Sequence, residues 1–331
     1  MYSDIPLYLA IAFIVLGLVA LAWSSDRFVV GSAALAKNLG VSPFIIGMVV
    51  VGFGTSAPEL IVSTFAGIAG HSNLSLGNAY GSCVFNIAAI LGVSAMIRPL
   101  VVRSKIALIA LPLLLAITIG SAFLLKDGGL SRMNAFILLA AFAIIMPAYG
   151  KVDKAEPPKE DSREAPALEM PTAKAAFLAV VGLVVMVAAS HLLVWGAADS
   201  ARALGVDDLL IGLTIVAIGT SIPELASAIA ASRRNEADLV LGNIVGSNLF
   251  NMLAVVGIAG AISPIERFSP YVLRRDLPIL FAVTAITLLA GVNYRKWREN
   301  GVIKRFEGAF MAIAYIGYMA LTIWQEALGN G

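Results

Sequence analysis

Glu59 and Glu224 stand 165 residues apart, each inside a long apolar stretch and each in the same nine-residue motif. Residues 52–60, GFGTSAPEL, and 217–225, AIGTSIPEL, agree at six of nine positions. A carboxylate at bilayer depth is costly and marks a functional site by default. The same one in two matching halves points to a transport site between inverted repeats. Around each glutamate the motif adds hydroxyl oxygens, Thr55 and Ser56 in one copy and Thr220 and Ser221 in the other. Pro58 and Pro223 lack an N–H and clash with the carbonyls four residues back, at Gly54 and Gly219. Both helices should therefore be interrupted, and freed carbonyls at that depth need another partner. A cation serves well, because carbonyls, hydroxyls and carboxylates are hard donors suited to calcium and sodium. A plain kink accounts for the prolines alone but not for a glutamate attached in both copies.

A second pair of motifs supplies neutral oxygens. LGNAYGSCVFN (76–86) and LGNIVGSNLFN (241–251) share seven of eleven residues at the same offset. Ser82 and Asn86 are i,i+4 and share a helix face, as do Ser247 and Asn251. Gly77, Gly81, Gly242 and Gly246 form small-xxx-small pairs that permit close helix approach. Asn78 and Asn243 read better as helix–helix glue than as ligands. Two ionised glutamates are balanced by one divalent or two monovalent cations, and uncompensated buried charge is expensive. Competition for one carboxylate pair converts binding into exchange, with protons competing at low pH.

The elements that must position these groups are membrane helices. Of 331 residues, 59% are hydrophobic and 13% charged, with a mean hydropathy of +0.89; soluble domains run nearer 25% charged. Spans of about 20 apolar residues fall at roughly 6–36, 43–69, 74–96, 105–125, 130–149, 173–200, 209–231, 237–262, 272–292 and 306–328. The expected fold is thus an all-α polytopic membrane protein, ten transmembrane helices in two inverted five-helix repeats. Residues 1–149 form the first repeat, 150–172 a charged, proline-rich cytoplasmic linker, and 173–331 the second repeat. An odd number of spans per half makes the second enter from the opposite side. The start, MYSDIP, lacks the basic flank of a cleaved signal and reads as a retained span. With the N-terminus outside, sixteen basic residues fall in inner loops and six in outer ones, so both termini should face outward from the cell (inner or plasma) membrane. A net charge of +2 with basic residues at helix ends gives no nucleic-acid surface. Short connections leave no room for a soluble catalytic domain, and Cys83 alone forms no intrachain disulfide.

With these residues assembled, the chain resembles the cation/calcium exchanger superfamily, specifically its prokaryotic sodium/calcium exchanger proteins. The likeness covers nearly the whole chain and rests on the paired GTSxPE and GNxxGSxxFN repeats. It implies sodium-driven calcium antiport by alternating access, usually with more than two sodium ions per calcium, and helices 1 and 6 sliding against the other eight. It further implies a central calcium site of Thr55, Glu59, Thr220 and Glu224. Sodium ligands would be the carbonyls of Gly52 and Ala217 with Ser56, Ser221, Ser82 and Ser247, and Asn86 and Asn251 would close the centre. No cofactor is expected beyond the transported Ca2+ and Na+, and no partner beyond these ions and the lipid bilayer, in a monomer or weak homo-oligomer. Some exchangers, potassium-dependent ones among them, carry aspartate at the position of Asn251, so potassium coupling is disfavoured here. Proton/calcium exchangers typically show GNxxE, which leaves proton coupling as the runner-up. A cation channel would use the same oxygens without counter-ion. An intramembrane hydrolase would need a catalytic motif such as HExxH, which the sequence lacks.

Other polar residues read as structural. Asp26 and Arg27 suit a snorkelling pair, His191 a packing histidine, His71 a solvated loop residue, and Asp207 and Asp208 helix caps. The acids of the linker, such as Glu156 and Glu164, are interleaved with lysines and prolines and read as solvated.

Overall fold

The computed structural model describes residues 6–68, 72–152, 170–204, 217–294, 296 and 299–329. Among them, eight helices are long and apolar enough to cross a membrane. These are α1 (Leu7–Leu39), α2 (Pro43–Phe65), α3 (Ser75–Ile97), α4 (Ile106–Leu124), α5 (Arg132–Tyr149), α6 (Thr172–Ala197), α8 (Ala237–Ile262) and α10 (Arg305–Gln325). Between them lie α7 (Ile222–Arg233), preceded by one helical turn at Ala217–Gly219, and α9 (Leu277–Gly291). Most of the 150–172 linker and the start of the expected 209–231 span lie outside the described residues, as do His71, Asp207 and Asp208.

Local chemistry sets the breaks. Gly40 ends α1 at φ 63°, a conformation that suits a residue without Cβ, and its N–H meets the Ala36 and Lys37 carbonyls. Two residues on, Ser42 caps α2 by accepting from the Ile45 N–H, and Pro43 opens the first turn. Within α2 the chain passes from α-helix to π-helix at Gly47–Val51, returns to α at Gly52–Thr55, and turns at Ser56 before Ala57–Ile68.

The duplication extends to this irregularity. Helix Ser72–Val84, π-helix Phe85–Ile90 and helix Leu91–Ile97 reappear as Ala237–Leu249, Phe250–Val255 and Val256–Ile262, every bound moved by 165. Ala57–Ile68 reappears as Ile222–Arg233. Such π insertions cluster at functional sites.

Burial separates core from periphery. The most apolar stretch of α8 is wholly buried, against 17% for those of α5 and α10. Exposed large side chains such as Val15, Leu16, Phe310 and Ile313 face outward from the peripheral helices, as expected where lipid is the solvent. Glycines bring the core helices close. A Cβ on Gly242 or Gly246 would lie 2.2 or 2.3 Å from the Phe44 or Met48 carbonyl oxygen of α2. For Gly77 and Gly81, no described atom lies within 4 Å of such a Cβ. Along α1 and α6, Gly17 faces Leu193 and Gly31 faces Ala179, while Gly182 faces Phe28 and Gly196 faces Ala10. Ascending residues of one thus meet descending residues of the other, so α1 and α6 run antiparallel. A short sheet, Leu100–Val102 against Gly301–Ile303 with Leu100 opposite Ile303, adds strands that an all-helical expectation omits.

Candidate functional site

Each glutamate begins a new helix at the centre of the protein. Ser56 (φ −84°, ψ 5°) and Ser221 (φ −95°, ψ 10°) leave helical geometry, and the chain re-enters it with Pro58 and Pro223 in the first turn. Glu59 and Glu224 therefore sit where unpaired N–H groups and the helix dipole favour negative charge. Both are essentially fully buried.

The two halves then cross over. Ser221 Oγ donates to Glu59 Oε1 at 2.8 Å, and Ser56 Oγ donates to Glu224 Oε1 at 3.0 Å. Ser82 lies 3.1 Å from Ser221. Ser247 Oγ lies 3.4 Å from the Gly52 carbonyl oxygen. Thr55 donates to the Val51 carbonyl four residues back at 2.9 Å, committing its proton and leaving lone pairs for another partner. Thr220 donates to Asn78 Oδ1 at 3.4 Å, and Thr55 sits 3.5 Å from Asn243 Oδ1, the mirrored contact. Asn78 and Asn243 also donate to the backbone carbonyls of Glu59 and Glu224, at 3.2 and 3.4 Å. Both asparagines are thus used on both amide atoms and act as glue between the helices.

Among the residues of the four repeated motifs, four buried side-chain oxygens have no hydrogen-bond partner among the described residues: Glu59 Oε2, Glu224 Oε2, Asn86 Oδ1 and Asn251 Oδ1. They form two pairs related by the 165-residue offset. An unsatisfied buried polar atom costs about 1–3 kcal/mol, so four together are comparable with the whole net stability of a domain. A hard cation is the partner this donor set fits.

Nine of the twelve expected site residues, Gly52 among them through its carbonyl, are joined by these contacts, while Asn86 bonds Asn248 and Asn251 is buried without a bond among the described residues. Gly52 contributes its carbonyl beside Ser247, and Ala217 opens the turn that leads to Thr220. Expectations fail at the flanks. The carbonyl freed by Pro223, at Gly219, accepts from Ser190 Oγ of α6 at 3.0 Å; a hydroxyl on a neighbouring helix is as good an answer to a missing N–H as an ion. Asp26 does not merely snorkel beside Arg27 but binds Arg234, 2.8 Å from its Nε. His191 is exposed and not packed. Sequence reasoning also passed over Asn248, which holds Asn86; the available signal was an Asn at the position where the matching motif has Cys83.

Comparison with known proteins decides the family. The family model for sodium/calcium exchanger protein matches residues 9–148 and 174–324. The chain belongs to this family. It is similar to CaxA of Alkalimonas amylolytica, 40% identical over 317 residues that cover 94% of this chain and 98% of that one. It is 29% identical over 344 residues to the sodium/calcium exchanger MaX1 of Methanosarcina acetivorans, covering 91% and 97%. The fold matches a solved structure of the sodium-calcium exchanger NCX_Mj, soaked with 10 mM Na+ and 10 mM Sr2+, at a TM-score of 0.82 and 31% identity over 95% of this chain and 99% of that one. As a member of the sodium/calcium exchanger family, this protein is a multi-pass membrane cation/calcium antiporter, a transporter and not an enzyme.

Proposed function

We propose that the protein exchanges Na+ for Ca2+ across a cell membrane, with Glu59 and Glu224 as the shared cation ligands. The observation that carries this reading is the pair of crossed serine–glutamate bonds, each leaving one buried carboxylate oxygen with no hydrogen-bond donor among the described residues. Thr55 and Thr220 complete the calcium site. Ser56, Ser82, Ser221, Ser247 and the carbonyls of Gly52 and Ala217 offer sodium positions, and Asn86 and Asn251 close the centre. Two carboxylates balance one Ca2+ or two Na+, and the buried site cannot hold all of these without surplus charge. Occupancy by one ion type therefore excludes the other, which is the condition for exchange.

The framework we infer is ten transmembrane helices in two inverted repeats, residues 1–149 and 173–331, joined by a cytoplasmic linker at 150–172 with both termini outside. The 165-residue recurrence of helix, π-helix and helix supports the duplication, and the antiparallel course of α1 and α6 supports the inversion. Close glycine contacts along α1 and α6 suit a pair of helices that shift as a unit against the buried core.

Uptake of isotopic calcium into sodium-loaded proteoliposomes tests the proposal. Uptake should follow the outward sodium gradient and vanish without it. A potassium gradient or a pH gradient that drove uptake equally well would replace sodium as the coupling ion, and downhill flux without any counter-ion would identify a channel.

A further inference from the structure

Cys83 and Asn248 occupy matching positions in the two GNxxGSxxFN motifs, and they meet at the centre of the protein. Asn248 Nδ2 donates to the Cys83 carbonyl at 3.3 Å, and Cys83 Sγ lies 3.8 Å from the Asn248 carbonyl oxygen. Each side chain thus answers the other's backbone. The symmetry ends one step further out. Asn248 Oδ1 accepts from Asn86 Nδ2 at 3.1 Å, whereas both amide atoms of Asn251, the mirror of Asn86, have no hydrogen-bond partner among the described residues.

The orientation of Asn86 follows from donor and acceptor types. A backbone carbonyl only accepts, so it turns the amide nitrogen of Asn248 toward Cys83 and the oxygen toward Asn86. Asn86 must meet that oxygen with its own nitrogen, which leaves Oδ1 as a free, buried acceptor. Cys83, which stands where the other motif has Asn248, carries only a weakly bonding thiol, and Asn251 has no such partner among the described residues.

We propose that Asn248 is a positioning residue that makes Asn86 the fixed asparagine ligand of the cation site and leaves Asn251 the adaptable one. The assignment rests on the reading of the central oxygens as a cation site. It also accounts for how a duplicated site becomes unequal without altering any glutamate, serine or threonine. Partners that orient a metal ligand are typically worth 10- to 100-fold in affinity.

The test exchanges the two residues. In proteoliposomes of the full chain, Asn86→Ala should raise the half-saturating calcium concentration about tenfold, with Asn251→Ala raising it less. In the double variant Cys83→Asn/Asn248→Cys the same two atoms sets are present in swapped positions, and Asn251→Ala should become the costlier substitution. A purely structural role for Asn248 leaves the order unchanged, and an unchanged order in an exchanging protein overturns the proposal. Should the swap fail to reach the membrane, the single variant Asn248→Cys decides. Its effect must be non-additive with Asn86→Ala in half-saturating calcium while maximal rate is held, and additive effects overturn the assignment. Absence of sodium-dependent exchange in the unmodified protein removes the site reading itself, a distinct failure.

Discussion

The two halves agree around the two carboxylates and disagree at the flanks. Glu59 and Glu224 receive matching serine bonds from the opposite half, and Asn78 and Asn243 hold matching backbone carbonyls. Moving outward, the correspondence fails. Asp26 of α1 pairs with Arg234 beyond α7, but the matching positions hold His191 and Ala69, and an alanine carries no charge. Ser190 of α6 occupies the Gly219 carbonyl, whereas Ser25, its counterpart on α1, bonds the Ala22 carbonyl of its own helix. Gly54 and Gly219 both press on α6, against Leu183 and Val194. The serine–carboxylate bonding is therefore symmetric, while the asparagine pair at the centre and the outer contacts of α1 and α6 are not.

The largest effect should come from breaking the centre. Glu59→Gln and Glu224→Gln should each lower sodium-dependent calcium uptake at least about 100-fold, since each removes a buried charge whose partners remain. Because the amide keeps the shape of the carboxyl, both variants should still purify as folded protein. A retained rate in either one breaks the symmetry at its core. Ser56→Ala and Ser221→Ala sharpen the same point. Each deletes a hydrogen bond to a charged group, worth about 1.5–3 kcal/mol, so half-saturating calcium should rise about ten- to 100-fold and by similar factors in the two variants. Unequal factors would show that the crossed bonds, though mirrored in geometry, are not mirrored in energy.

These central features were legible in the sequence because the duplication exposes them. A glutamate, a proline and two hydroxyl residues at one spacing, repeated at 165, reveal what to pair and where the chain must break. The π segments at Phe85–Ile90 and Phe250–Val255 were not legible. Residues apolar on nearly every face carry no periodicity to betray a change in helical winding. Nor was the pairing of Asp26 with Arg234, or of Ser190 with Gly219, since each depends on how one helix lies across another. Asn248 was visible only as a departure from the repeat, and its meaning needed the Cys83 carbonyl in place.

The α1–α6 seam offers a further test. A Cβ on Gly31 would lie 2.5 Å from the Ala179 backbone nitrogen, and one on Gly196 would lie 2.5 Å from the Ala10 carbonyl oxygen. Neither neighbour can yield without moving a helix, and overpacking of this kind costs typically about 1–3 kcal/mol. Gly31→Ala and Gly196→Ala should slow exchange about tenfold while leaving half-saturating calcium near its original value. A change in calcium affinity without a change in rate would place the seam in binding and not in movement.

The smallest effect belongs to the contact that only one half possesses. Asp26 and Arg234 remain 42% and 37% exposed, and exposed pairs contribute about 0.2–1 kcal/mol. The bond can tilt a balance between conformations by at most about fivefold; it cannot lock one. Asp26→Asn and Arg234→Gln should therefore change turnover no more than that, with half-saturating calcium altered on one membrane face only, because α7 ends at that face. The effect should shrink as ionic strength rises and the pair is screened, and the reciprocal variant Asp26→Arg/Arg234→Asp should return turnover toward its original value. His191→Ala, the change at the matching position, should leave both faces as they were. If it alters the opposite face by a similar factor, the flanks are functionally symmetric despite unlike residues, and the division between matched carboxylate bonds and unmatched flanks fails.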